Sequence, residues 1–192
     1  MKYYGLMVFF MILFLGNAQA QCDFYKEGID DFDSTLTIVS NPVSLGFMIA
    51  SEFETEDGPK MVEEGKMLFS YAENDSINSF FMTIGLLERK FLKAESGMNV
   101  RLKLSNNKIV TLLNLTDKGT FDRTTNMRIY QHTCIVPLDT YYLLTYNKIE
   151  KIRVEYPGRA PHDLTMSLEQ QEAVLEAMKC VGERAGLYPV KP

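Results

Sequence analysis

In two stretches of this chain, apolar and charged side chains alternate one for one. Val100, Leu102 and Leu104 alternate with Arg101 and Lys103, and Ile152, Val154 and Tyr156 with Lys151, Arg153 and Glu155. A period of two is the period of extended backbone, so each segment buries one face and leaves the other to solvent. Such a chain builds a sheet covered on one side. From residue 34 onward the apolar residues come in short runs rich in Val, Ile, Thr, Phe and Tyr, broken by Asn, Asp, Gly and Pro, which is how a sheet protein is punctuated. Ser105-Asn106-Asn107 follows the first alternating run, and Ile109 to Leu115 can return antiparallel, because Asn tolerates the positive φ of tight turns. Further strands are expected at Leu36 to Val39, Val43 to Ala50, Met67 to Tyr71, Phe80 to Leu87, Met127 to Val136 and Leu164 to Met166. Their pairing order is not readable.

Two helices interrupt this pattern. Asp139 suits the N-cap of a short helix through Tyr141 to Tyr146. Ser167 followed by Gln170 is a capping box, after which Leu168, Val174, Leu175, Met178 and Val181 fall on one side at a hundred degrees per residue. Gly182 and Gly186 allow that helix to stop. The expected fold class is mainly β (α+β): an antiparallel β sheet or sandwich with a short helix near 140–146 and a C-terminal amphipathic helix.

The start of the chain has the three parts of a secretory signal. Lys2 is basic, Leu6 to Leu15 is an apolar run, and Ala18-Gln19-Ala20 is a small-residue cleavage site. The run of about ten residues is well short of the roughly twenty that span a bilayer. Cleavage is expected after Ala20. A lipid anchor on Cys22 is disfavoured because Gln21, not a small residue, precedes it. Residues 1–20 are thus read as a cleaved signal peptide and 21–192 as a single β-rich domain, exported to the periplasm or beyond, with no membrane span after cleavage. No repeat, linker or compositional break divides the 172 residues from 21 to 192.

Cysteine chemistry follows from that compartment. Cys22, Cys134 and Cys180 all survive cleavage, and a disulfide can persist outside the cytoplasm. Cys180 projects away from the apolar stripe of its helix, beside Glu169, Ala173 and Glu176, and the start of the mature chain is the segment most in need of tying down. The expected bridge is Cys22 with Cys180, leaving Cys134 a buried free thiol. The competing arrangement leaves all three unpaired, since geometry decides whether a bridge forms.

Chemistry-bearing patterns are sparse. The 20 basic and 25 acidic residues give a formal charge of −5, and no block of Lys or Arg stands out to track phosphates, which argues against nucleic acid as a partner. Gly-x-Ser-x-Gly, a phosphate-cradling Gly-rich loop, His-Glu-x-x-His and Cys-x-x-Cys are all absent. His132 and Cys134 share one strand face, but alternate Cβ atoms on a strand lie about 6.6 Å apart, too far for easy imidazole-to-sulfur contact. A zinc site there would need further ligands, for which only His162, Asp163 and Cys180 are of the right type. Acidic residues cluster at Asp23, Glu27, Asp30, Asp31 and Asp33, and again at Glu52, Glu54, Glu56 and Asp57 with Glu63 and Glu64. An extended segment would put Glu52, Glu54 and Glu56 on one face, as a calcium site would want, but no EF-hand loop is present and a solvated edge is the simpler reading. Met stands beside Phe at Phe47-Met48 and Phe81-Met82 and near it at Met67-Leu68-Phe69, which suits a core and, less often, an adaptable apolar binding surface.

The signal peptide, Gln21 to Tyr25, the acidic stretch to Asp33, Thr35 to Pro42, Leu143-Leu144, Ile149 to Tyr156 and the closing helix to Cys180 form a recurring set. On these segments the chain resembles a group of small exported proteins of Bacteroidetes-type bacteria. The resemblance implies export and a β-rich fold, and carries over no functional residue. The expected function is a non-catalytic binding or interaction module for a protein or apolar ligand, without a cofactor. The alternative is a hydrolase or metal-dependent enzyme using His132, Cys134 and acidic residues such as Glu52 and Glu54.

Overall fold

Alternation along the chain is realised as one antiparallel sheet. The computed structural model describes residues 22–50, 60–76 and 78–187; the expected signal peptide and Glu52, Glu54, Glu56 and Asp57 lie outside them. The strands are β1 (Phe24–Ile29), β2 (Leu36–Ser40), β3 (Val43–Ile49), β4 (Met61–Glu73), β5 (Asn78–Glu88), β6 (Gly97–Leu104), β7 (Ile109–Asn114), β8 (Thr120–Asp122), β9 (Met127–Val136), β10 (Ile149–Val154) and β11 (His162–Thr165). Helix α1 (Leu138–Tyr146) joins β9 to β10, and α2 (Leu168–Arg184) follows β11. The sheet order is β1-β2-β4-β5-β9-β7-β6-β10-β11. β3 continues the line of β2 along β4, and β8 the line of β7 along β9. The fold is a single sheet and not a sandwich.

Each long strand turns one face inward. Met67, Phe69 and Tyr71 of β4, Phe80, Met82, Ile84 and Leu86 of β5, and Val100, Leu102 and Leu104 of β6 join Val174, Met178 and Val181 of α2 in one core. The helix touches β2, β3 and β4 on one side and β10 on the other, so the sheet curls around it. Of the Met–Phe runs, Met67, Phe69, Phe80 and Met82 are core, while Phe47 is 62% exposed. The hairpin expected at Ser105-Asn106-Asn107 forms, with Lys103 paired to Ile109 and Asn107 at φ 63°. Two strands were not anticipated: β1, of which every residue but Phe24 is exposed, and β8, only three residues long.

Three details of the helices differ from expectation. Helix α1 begins two residues early, with Pro137 at its N-cap and Asp139 inside the first turn, where its carboxylate accepts from the Thr140 N–H. Leu168 is 75% exposed, because the first turn of α2, though closed by the Ser167–Gln170 capping box, lies beyond the core. Gly182 does not stop the helix. Gly186 does: it sits at φ 75°, and the Leu187 N–H donates to the Gly182 carbonyl at 2.7 Å while the Gly186 N–H donates to Glu183, a glycine-terminated Schellman close.

Gly182 instead makes room for a ring. A Cβ there would lie 1.7 Å from Tyr141 Oη, and that hydroxyl, on a fully buried tyrosine, donates to the Leu187 carbonyl at 3.3 Å. Alanine normally gains about 1 kcal/mol over glycine inside a helix. Here the methyl group must displace the α1–α2 contact, and overpacking of this kind costs up to about 3 kcal/mol. Gly182→Ala is expected to lose about 2 kcal/mol net in urea unfolding, opposite in sign to helix propensity; a stabilised variant would refute the packing assignment.

The expected bridge between Cys22 and Cys180 is present, with Cα atoms 5.6 Å apart, and Cys134 is buried and free. The bridge and a Glu27–Arg184 ion pair at 2.5 Å fasten the edge strand β1 to α2.

Candidate functional site

Three polar side chains inside the core form a short chain. His132 of β9, Asn114 of β7 and Tyr156, just past β10, are all buried. Asn114 Nδ2 lies 3.1 Å from His132 Nδ1, and His132 Nε2 lies 3.0 Å from Tyr156 Oη. An amide nitrogen only donates, so Nδ1 accepts and the ring proton sits on Nε2, donated to the tyrosine. Burial pushes His132 down to about 4. Burial, reinforced by the Glu88 carboxylate, pushes the Tyr156 phenol far above its ordinary value. The ring is therefore neutral at pH 7, and both its nitrogens are occupied.

Cys134 shares the inward face of β9 with His132 but does not engage its ring. The thiol instead donates to the His132 carbonyl at 3.8 Å, and burial pushes it up to about 12. A thiol held there is not a nucleophile at neutral pH.

The second histidine, by sequence no more than a further zinc ligand, has a more specific setting. His162 opens β11, at one edge of the sheet, yet its Nδ1 lies 2.7 Å from Glu88 at the end of β5 and its Nε2 3.2 Å from Glu64 on β4. The curl of the sheet brings these strands together across 74 and 98 residues of sequence. Hydrogen bonding to Glu88, partly offset by burial, raises the His162 pKa above its ordinary value, and Glu64 adds to the rise. The carboxylates take opposite ring nitrogens, so the three groups do not converge on one ion. Among the described residues no three His, Cys, Asp or Glu side chains are placed to hold a metal. Asp30 and Asp33 of the first acidic cluster are taken up by backbone N–H groups of their own turn, and Glu63 pairs with Lys66 at 2.5 Å.

Two hollows flank the Glu64–His162–Glu88 clamp. One, of about 560 Å³, opens between the end of β5 and the β10–β11 turn, with Glu88, Tyr156 and His162 in its wall and Arg89, Lys90 and Arg159 about it. The other, of about 510 Å³, lies on the outer face of β4, β5 and β9. Leu68, Thr83, Gly85, Leu87 and Ile129 line it, and they alternate with the core residues Met67, Ile84, Leu86 and Tyr130. Pro42 and Asp122 stand on its sides, and Lys66 and Gln131 bring polar groups to its rim. Leu87 borders both hollows. Gly85 is the low point of the outer groove: a Cβ there would meet nothing nearer than the Lys66 carbonyl at 3.9 Å. Both helices belong to the core on the opposite face.

Sequence patterning located the apolar and charged faces of the strands but not this groove. Its floor alternates Leu, Thr, Gly and Leu, and only the register places Gly85 opposite Lys66 and Gln131. Compared with known protein families, with characterised proteins and with solved structures, the chain finds no match.

Proposed function

We propose that this protein is an exported, non-catalytic binding module that takes a small apolar ligand in the groove over β4, β5 and β9. One observation carries the reading: a hollow of about 510 Å³ on a sheet face opposite both helices, floored by Leu68, Leu87 and Ile129 with an open Gly85 at its centre. Its volume falls within the range of small-molecule sites, and a few polar groups around an apolar floor are the usual means of orienting a ligand. The hydrolase or metal-enzyme alternative has less support, since both ring nitrogens of each histidine are engaged and Cys134 is a buried thiol.

Export is the second half of the proposal. It is supported by the signal-peptide pattern of residues 1–20, by the resemblance to small exported Bacteroidetes-type proteins, and by a disulfide, a bond that persists in oxidising compartments. No described helix is long and apolar enough to cross a membrane.

Nile red, a neutral apolar dye, tests the groove. The protein is expected to enhance its fluorescence saturably. Gly85→Leu fills the low point without backbone strain, because Gly85 is not at positive φ, and should weaken the dye at least tenfold with an unchanged melting temperature. Absence of dye binding by the unaltered protein, or equal binding by the variant, would remove the groove from consideration.

A further inference from the structure

The outer face of β6 and β10 carries a second arrangement, which strand register alone creates. Arg101 pairs directly with Arg153, and Lys103 with Lys151. All four side chains point away from the core, alternating with buried Val100, Leu102, Ile152 and Val154. Like charges directly across an antiparallel pair destabilise it. Adjacent strands lie about 4.8 Å apart and alternate residues about 6.6 Å apart, so the four cations form a two-by-two lattice. They line a hollow of about 230 Å³ with Ile109 and Thr165. Ile109 is 68% exposed.

Three carboxylates border this lattice of four cations and leave it one positive charge in excess. Glu155 lies 3.4 Å from Arg101, Glu150 lies 3.4 Å from Lys103, and Asp163 grips Arg153 through two bonds of 2.7 and 2.5 Å. Lys151 makes no ion pair with a described residue. The two solvent-exposed pairs at 3.4 Å are weak and open to exchange, whereas the bidentate Asp163–Arg153 pair is the firm one. The face therefore offers cations to anions and carboxylates to hydroxyl donors within one small area, on a chain whose overall charge is −5.

We infer that this face binds an acidic polysaccharide, whose anionic groups meet Arg101, Lys103 and Lys151 while its hydroxyls donate to Glu150, Glu155 and the Asp163 that holds Arg153. A nucleic acid fits less well. None of the residues lining the hollow is aromatic, so bases have nothing to stack on, and the interspersed carboxylates repel a backbone of phosphates. The inference does not rest on the apolar groove, which lies over different strands and is probed by a neutral dye.

Polygalacturonate and heparin, a carboxylated and a sulfated glycan, are the probes, with a single-stranded DNA oligomer as comparison, all at about 50 mM salt. Either or both glycans should bind, with a salt slope corresponding to no more than about four released counterions. Lys103→Ser with Lys151→Ser should weaken glycan binding at least tenfold. Lys118→Ser with Lys179→Ser, the same change of charge elsewhere, should leave it within twofold. The four lysines are not core residues, and melting curves of both variants check that the fold is kept. Binding of neither glycan, equal loss in both double variants, or tighter binding of DNA than of either glycan would each overturn the inference.

Discussion

Breaking the Cys22–Cys180 bridge is expected to lower the melting temperature by about 6 to 12 °C, corresponding to about 3 kcal/mol for a domain of this size. The bridge spans 158 residues, and for a loop so long the chain-entropy model gives about 5 kcal/mol at 25 °C. A smaller effect is expected because the unbridged native state has a way to recover entropy. Strand β1 lies at the edge with only Phe24 partly buried, so once released from α2 it can fray while β2 to β11 stay folded. Cys22→Ser with Cys180→Ser isolates the effect without adding reactive thiols. Hydrogen exchange in the double variant should quicken first at Lys26 to Ile29, whose partners are all in β2. Thiol titration of the unaltered protein should find none in the native state and one after denaturation, Cys134. Three titratable thiols, or a melting temperature unmoved by the double substitution, would contradict this account.

How much of this was legible beforehand depended on whether the deciding interactions are local. The β6–β7 hairpin was readable because strict alternation and a turn asparagine lie within fifteen residues of each other. The start of α2 was readable because a capping box spans four residues. β1 was not readable: an edge strand with almost no buried face has no hydrophobic period to detect. Leu168 falls on the correct side of a helical projection and is nonetheless exposed, because projection fixes an angle and not where along the helix the sheet ends. Gly182 reads as a stop signal, since glycine at the end of a helix and glycine beneath a ring are alike until Tyr141 is placed.

The candidate sites were less legible, for the same reason carried further. Their residues are of ordinary type, and what sets them apart is register and curl. Arg101 and Arg153 become neighbours through a strand pairing that links segments about fifty residues apart. His162 meets Glu64 and Glu88 only because an edge strand returns over β4 and β5. His132 and Cys134 were correctly placed on one face of one strand. The partners that define their chemistry, Asn114, Tyr156 and a backbone carbonyl, come from elsewhere or from the main chain.

The two histidines are expected to confine maximal stability to near-neutral pH from opposite sides. His132 has a folded-state pKa of about 4 against 6.5 when unperturbed, so between those values the unfolded chain binds a proton that the native state refuses. Its contribution is complete above about pH 6.5 and is lost as the pH falls toward 4, by about 3 kcal/mol. Asp117 and Glu88 favour the charged ring and His162 opposes it, but burial outweighs all three. His162 runs the other way. Its pKa is raised, so its contribution is complete below about pH 6.5 and is lost as the pH climbs through the elevated value. His162→Gln should therefore differ most from the unaltered protein near pH 6 and least at alkaline pH. His132→Leu should cost about 4 kcal/mol at pH 7, because it strands the Asn114 amide, whose Oδ1 already lacks a partner, and removes the Tyr156 contact. Adding Asn114→Leu should recover part of that loss, since an apolar pair leaves less unsatisfied than a lone amide. The decisive measurement is urea unfolding of His132→Leu between pH 4 and 7. The 3 kcal/mol acid limb should flatten in the variant, and an acid limb of undiminished depth would place the titrating group elsewhere.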